Sequence, residues 1–412
     1  MRRSAFSSSI AIDCRRYGRC AGTRLYIDDI RTTIYLYPNG FKPWPTTMNR
    51  VPSPHPAWPA ILERIASMPL EVGAVRPPEV SDRWVLASNL QKAIRLGLTE
   101  VALATTARLL QVDEPYLWRR LPVVAYEDVG AGSHECCLAV LQLFRRTALH
   151  RRFGSIRVAG YLVRRLCEAT KSRALCDAIA TLEFSPELPR LEQQVSVLDD
   201  AQLLEAIAAP QADVTRRVAC LRQICGYRHF CGGIWRTVAG PRRDLMGAAC
   251  ERMQLTTIER MLFLSGNGVT DSMNVPMPVV ATLVRAQHPV LRALATSFAG
   301  RHGILYAALD RHTRVGKRCF AALLAESVAL RCFFRAHPGV DPVAALGCAT
   351  FVSEGARLDR ELIFNGREAL RRRFEQAFFA SVGLRPDAAA ELTVLLRDAR
   401  AALNALRAEA LA

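Results

Sequence analysis

Two adjacent carboxylates, Glu127 and Asp128, stand near the end of the stretch YLWRRLPVVAYEDVGAGS, Tyr116 to Ser133. Read as a helix with Gly130 just past its end, the stretch puts both acids where the macrodipole is already negative. One chemistry that justifies them is a structural clasp, because buried carboxylates must be paired. The other is a general-acid pair or a metal site. Neighbouring helical side chains diverge by about 100°, which favours the clasp. The candidate cations are Arg119 and Arg120, two turns earlier, and Lys171, with Ser172 beside it.

A second constellation is CLRQICGYRHFCGG, which brings Cys220, Cys225, His229 and Cys231 close together. Four nitrogen and sulfur ligands suit tetrahedral zinc. The spacing C-x4-C-x3-H-x-C matches no established finger, so buried thiols are the plainer reading and no metal is expected. Tyr227, Arg228, His229 and Arg236 interleave aromatic and basic groups, as nucleic-acid surfaces do. LDRHTRVGKRCF, Leu309 to Phe320, is a dense basic cluster. Thr313 would cap the helix that follows, with Arg314, Lys317 and Arg318 in its first turns and Arg311 just before it, a phosphate-binding arrangement. Asp310 and His312 are titratable but lack a nucleophile, so they make no mechanism by themselves. SGNGVTDSMNVPMPVV, Ser265 to Val280, reads as an ordered loop, and GREALRRRFEQAFF, Gly366 to Phe379, as an amphipathic helix.

The elements that must position these groups are helical. WVLASNLQKAIRLG places Trp84, Val85, Leu86, Leu90, Ile94 and Leu96 near i, i+4, i+8 spacing. Asp113, Glu114 and Pro115 give an acidic helix start with proline in its first turn. Further helices are expected at about 134–149, 155–168, 172–182, 199–207, 213–224, 241–264, 276–286, 288–299, 317–335, 341–352, 354–380 and 386–411. No alternating strand pattern follows residue 80. Before it, RLYIDDIRTTIYLYPNG would make a marginal hairpin, and residues 51–80 read as a proline-rich linker broken by a short helix near Ala60 to Ser67.

The chain has 412 residues and a formal charge of +17. Lysine occurs only at Lys42, Lys92, Lys171 and Lys317, so arginine carries nearly all of the positive charge. Guanidinium forks match phosphate oxygens, although a GC-rich codon bias gives the same composition. No run of eighteen apolar residues exists, so no membrane span is expected. Most of the thirteen cysteines lie in apolar, helix-like segments, which points to reduced, buried thiols. The first 47 residues are rich in Arg and Ser and poor in acid, like a transit peptide; Met48 reads as a natural start, which makes an over-extended gene the stronger account.

Three pieces line up in order: LQKAIRLGLTEVALATTARLL, then RRLPVVAYEDVG, then LVRRLCEATKSRALCDAI from Leu162 to Ile179. Together, over about residues 84–185, they resemble the C-terminal helical domain of the RarA/MgsA family of replication-associated AAA+ ATPases. The resemblance implies that family's oligomerisation and collar part without its motor. There is no G-x-x-x-x-G-K-[ST] in the chain; RVGKRC at 314–319 lacks the required glycine and hydroxyl. Pro122, Tyr126, Ala131-Gly132-Ser133, Thr170 and Arg173 depart from the family pattern. Pro122 should kink its helix and remove one hydrogen bond.

The expectation is an all-α protein: an irregular N-terminal segment (1–80), a collar-like helical domain (81–210) and a second helical domain (211–412). Its expected role is that of a non-catalytic accessory protein of DNA replication, recombination or repair. It would be cytoplasmic and hold DNA or an acidic replication partner through arginine, with a homo-oligomer among its partners and no cofactor. Two alternatives are a nucleotide- or nucleic-acid-processing enzyme using residues 265–318, and a structural helical protein of a phage or mobile element.

Overall fold

The computed structural model describes residues 58–68, 76–231, 234–237, 240–294 and 298–412. The hairpin expected before residue 50 and most of the proline-rich linker fall outside them. The protein is all-α: nineteen α-helices and three two-stranded antiparallel ladders make up the described residues. No helix among them is long and apolar enough to cross a membrane.

The helix Arg83–Arg95 starts at Asp82, whose carboxylate accepts from the Trp84 N–H at 2.8 Å. It is buried on nearly every face, polar residues included. Thr99–Val124 follows and packs against it. Asp113 breaks that helix into two (φ −159°, ψ 78°), caps the second half through the Tyr116 N–H at 3.0 Å, and leaves Pro115 in the first turn. Pro122 has no N–H to give, yet the helix runs through it. A π-helix, Ala125–Val129, follows in the next turn and is closed by Gly130 at φ 45°.

Two apolar clusters form the core. The larger runs from Ile65 to Leu309 and takes in Phe364 and Leu370. The smaller joins Ala180 to residues between Cys319 and Leu403. Leu203 and Leu245 share the larger cluster, so that core is continuous across residue 210.

Three expected helices are corrected. Residues 288–299 contain the strand Val290–Ala293, which pairs antiparallel with Arg360–Ile363. The span 354–380 holds the end of a second π-helix, Phe351–Gly355, then that strand, and only then the helix Arg367–Ala380. Pairing across about seventy residues has no local signature that a helical period would reveal. The expected helix 241–264 is two helices, Arg243–Arg252 and Thr257–Gly266, separated by a capping box between Thr256 and Glu259.

Candidate functional site

Glu127 and Asp128 lie on the first π-turn, and both are clasped, chiefly by Arg95 and Arg173. Arg95 Nε donates to Asp128 Oδ1 at 2.5 Å and its Nη2 to Glu127 Oε1 at 2.7 Å. Arg173 Nη1 reaches Asp128 Oδ1 at 2.9 Å and Glu127 Oε1 at 3.2 Å. Gln91 donates to the other Asp128 oxygen at 2.9 Å and accepts from Arg120 at 3.2 Å. Burial pushes the Glu127 carboxyl up, but Arg95, Arg173 and Arg120 outweigh it and hold it far below the usual carboxylate range.

The clasp reaches the second π-turn. Arg95 Nη1 donates to the Gly355 carbonyl at 2.5 Å. The guanidinium carbons of Arg95 and Arg173 lie 5.5 and 5.0 Å from the centre of the Phe351 ring. From Arg173 the charges alternate onward through the interior. Asp177 lies 3.9 Å from Arg173, and Arg367 is 2.7 Å from Asp177 and 3.0 Å from Glu361. Arg292 then meets Glu361 at 2.6 Å. Such a network joins segments distant in sequence, and each member needs its neighbours, because a buried charge left alone is costly.

Two of the expected cations are misplaced and a third acts at one remove. Lys171 pairs with Asp359 at 2.7 Å and donates to the Cys167 and Ala169 carbonyls. Arg119 is exposed, its guanidinium 5.7 Å from the Tyr116 ring centre. Arg120 bonds Gln91, and its charge favours the Glu127 carboxylate. Ser172 does meet the acids, through its backbone: its N–H donates to the Asp128 and Val129 carbonyls at 3.0 and 3.1 Å. The approach demands glycine. A Cβ on Gly132 would stand 2.4 Å from the Thr170 carbonyl oxygen, and one on Gly130 would stand 3.0 Å from that of Ser172.

Beside the clasp, Lys92 and Asp310 form a buried, very close ion pair joined by Ser88. Burial lowers the Lys92 pKa, with Asp310 opposing. His312 is exposed, yet burial lowers its pKa to about 4. Asp271 has the same double character: it is exposed, and burial raises its carboxyl pKa while Arg120 opposes and Glu127 reinforces the rise. The charge of Glu127 acts on His312 as well as on Asp271.

The expected phosphate cluster is split. Arg311 is half-buried, donates to Cys348 Sγ at 3.0 Å and lies 4.9 Å from the Phe378 ring centre, so it serves the interior. Thr313 caps the helix Arg314–Glu326 by accepting from the Gly316 N–H at 3.0 Å. Arg314 and Arg318 are exposed there, and Lys317 is half-buried. Arg228 and Arg236 face each other across the ladder of Tyr227–Cys231 with Ile234–Thr237, but their side chains, with those of His229 and Cys231, lie outside the described residues. Cys220 and Cys225 are buried, which raises the Cys220 thiol to about 11 and Cys225 further. No group of metal-ligating side chains assembles among the described residues.

A basic surface absent from the expectations comes from residues 136–167, which contain seven arginines and no carboxylate. Arg145, Arg151 and Arg152 are exposed; Arg157 and Arg164, seven residues apart on the helix Ser155–Glu168, are half-buried. No carboxylate pairs with Arg151, Arg152, Arg157 or Arg164 among the described residues. The signal was the length of the acid-free run, which a search for dense short clusters passes over.

No protein-family model matches the chain, and no curated protein and no solved structure matches it.

Proposed function

We propose that the protein is a non-catalytic helical accessory protein of DNA replication, recombination or repair, holding nucleic acid through arginine. One observation carries the reading: the arginine-rich stretch of residues 136–167, which has no acid in its sequence, with Arg151 and Arg152 open to solvent. Guanidinium groups without competing carboxylates are what a phosphate backbone engages. The resemblance of residues 84–185 to the RarA/MgsA collar supports the replication context. The fate of Glu127 and Asp128 supports the non-catalytic part, since the carboxylates of both are engaged by Arg95 and Arg173.

The test is a fluorescence-anisotropy titration with single- and double-stranded DNA at two salt concentrations. Binding that weakens steeply with salt is expected, because neutralised phosphates release counterions. Unchanged anisotropy at low salt overturns the proposal.

A second reading, an enzyme acting on a nucleotide or nucleic acid through residues 265–318, has one observation in its favour. His312 and Asp271 are both exposed, and the charge of Glu127 acts on each. Turnover of a labelled oligonucleotide or nucleoside triphosphate that disappears in His312→Ala would establish it; no turnover would dismiss it.

A further inference from the structure

Trp84 keeps 50% of its surface exposed at the open first turn of a helix that is buried from Val85 onward. Asp82 caps that helix and fixes the turn presenting the ring. Tyr116 meets Trp84 edge-on, with centroids 5.3 Å apart and planes at 66°. The Arg83 guanidinium lies 5.4 Å from the Trp84 ring centre and 5.3 Å from that of Tyr116, and Asp113 holds it there at 2.7 Å. The guanidinium of Arg119, exposed, also lies over the Tyr116 ring, 5.7 Å from its centre. The same turn of the 99–124 helix carries Trp118, stacked on His150 at 4.1 Å and 16°, and Arg151 and Arg152 follow His150 directly.

The acids in this neighbourhood are already engaged. Asp113 holds Arg83, and Glu114 accepts from Trp118 at 3.0 Å and from Ser155 at 2.5 Å. What faces solvent is a half-exposed indole held by Tyr116 and by Arg83, whose charge Asp113 balances, with the exposed Arg119 near Tyr116 and the exposed Arg151 and Arg152 next to His150. An apolar protein partner would match the indole but not the arginines, and a duplex would match the arginines but offer its bases no face to stack. Unpaired bases on a phosphate backbone match both.

We infer that Trp84, with Tyr116, Arg83 and Arg119, forms a stacking platform for an unpaired base of single-stranded nucleic acid, whose backbone runs toward Arg151 and Arg152. The inference rests on the nucleic-acid reading above and narrows it to single strands. Trp84 supplies the stacking face; Tyr116 and Arg83 hold its orientation; Arg119 meets an adjacent phosphate.

The experiment compares the full chain with Trp84→Ala and Trp84→Phe, using a fluorescein-labelled oligothymidylate and a duplex of equal length. Stacking contributes roughly 1–3 kcal/mol per base, so Trp84→Ala should weaken oligothymidylate binding roughly 5- to 150-fold. Duplex binding should stay at the wild-type value, and Trp84→Phe should restore most of the single-strand affinity. Wild-type oligothymidylate affinity in Trp84→Ala overturns the platform while leaving the broader reading intact. Equal losses on single strand and duplex also overturn it, because they mark a general disturbance of the surface. If the wild-type chain binds neither probe at low salt, the nucleic-acid reading itself fails and the platform with it.

Discussion

Arg95 and Asp128 meet at 2.5 Å, and through that bond the end of one helix is tied to the π-turn ending the next. Both side chains are essentially excluded from solvent. The guanidinium makes three attachments, to Asp128, Glu127 and the Gly355 carbonyl, each from a different nitrogen. The π-turn resolves the geometric difficulty of two adjacent carboxylates: on a regular α-helix they would diverge, and here both contact the same two arginines. The macrodipole at this helix end opposes negative charge by a fraction of a kcal/mol, which two buried guanidinium groups outweigh.

Arg95→Met should therefore destabilise the fold by about 3–5 kcal/mol, the usual cost of stranding a buried charge. Arg95→Lys should recover little, because an ammonium cannot reproduce the three-way fork. Urea denaturation checks both: the midpoint should fall with an unchanged slope. A loss below about 0.5 kcal/mol would show that the clasp is not a stability element.

Gly132→Ala probes the contact between the turn after Asp128 and the Thr170–Ser172 loop. The new methyl would stand 2.4 Å from one backbone atom and under 3.0 Å from two more, so the segments must part. The expected cost is about 1–3 kcal/mol. Gly339→Ala, which has nothing within 4 Å, should stay within about 0.5 kcal/mol. Thermal melts of the two variants side by side give the comparison.

The helical class was legible because the 3.6-residue period is local, as in Arg83–Arg95, and so were caps such as Asp113 and Thr313. That Glu127 and Asp128 are clasped could be argued from charge alone. Which cations hold them could not: Arg95 and Arg173 lie 33 and 45 residues from Asp128, and tertiary packing chooses among several arginines. The same limit hid the Val290–Ala293 strand, whose partner is about seventy residues away. Arg119 and Lys171 were plausible by proximity in sequence and motif, and each found a nearer partner in space.

Glu183 makes stability depend on pH. Burial raises its carboxyl to about 7 from 4.5, against the pull of Arg222 and a hydrogen bond from Ser272. A folded-state pKa above the unfolded one means that the fold favours the protonated form. Its stability contribution is therefore full below pH 4.5 and is lost as pH rises through 7. The size is on the order of 3 kcal/mol at most. Glu183→Gln should leave stability near pH 4 almost unchanged and raise it above pH 7. Urea midpoints measured from pH 4 to 8 for both proteins test this, and parallel profiles would remove Glu183 as the cause.

The arginine surface and a uniform scatter of arginine predict different salt dependence. If Arg151 and Arg152 each neutralise a phosphate, Arg151→Gln/Arg152→Gln should reduce the slope of log affinity against log salt by about 2. Arg385→Gln/Arg397→Gln removes the same net charge from exposed positions in the C-terminal helices, where each arginine sits beside an aspartate. Under a localised interface that control keeps the wild-type slope, because counterion release depends on contacts and not on net charge. Under the alternative, in which arginine reflects codon usage in a structural helical protein, the two double variants behave alike. Both side-chain pairs are exposed, so neither substitution removes a core contact, and differences in affinity report on the surface itself.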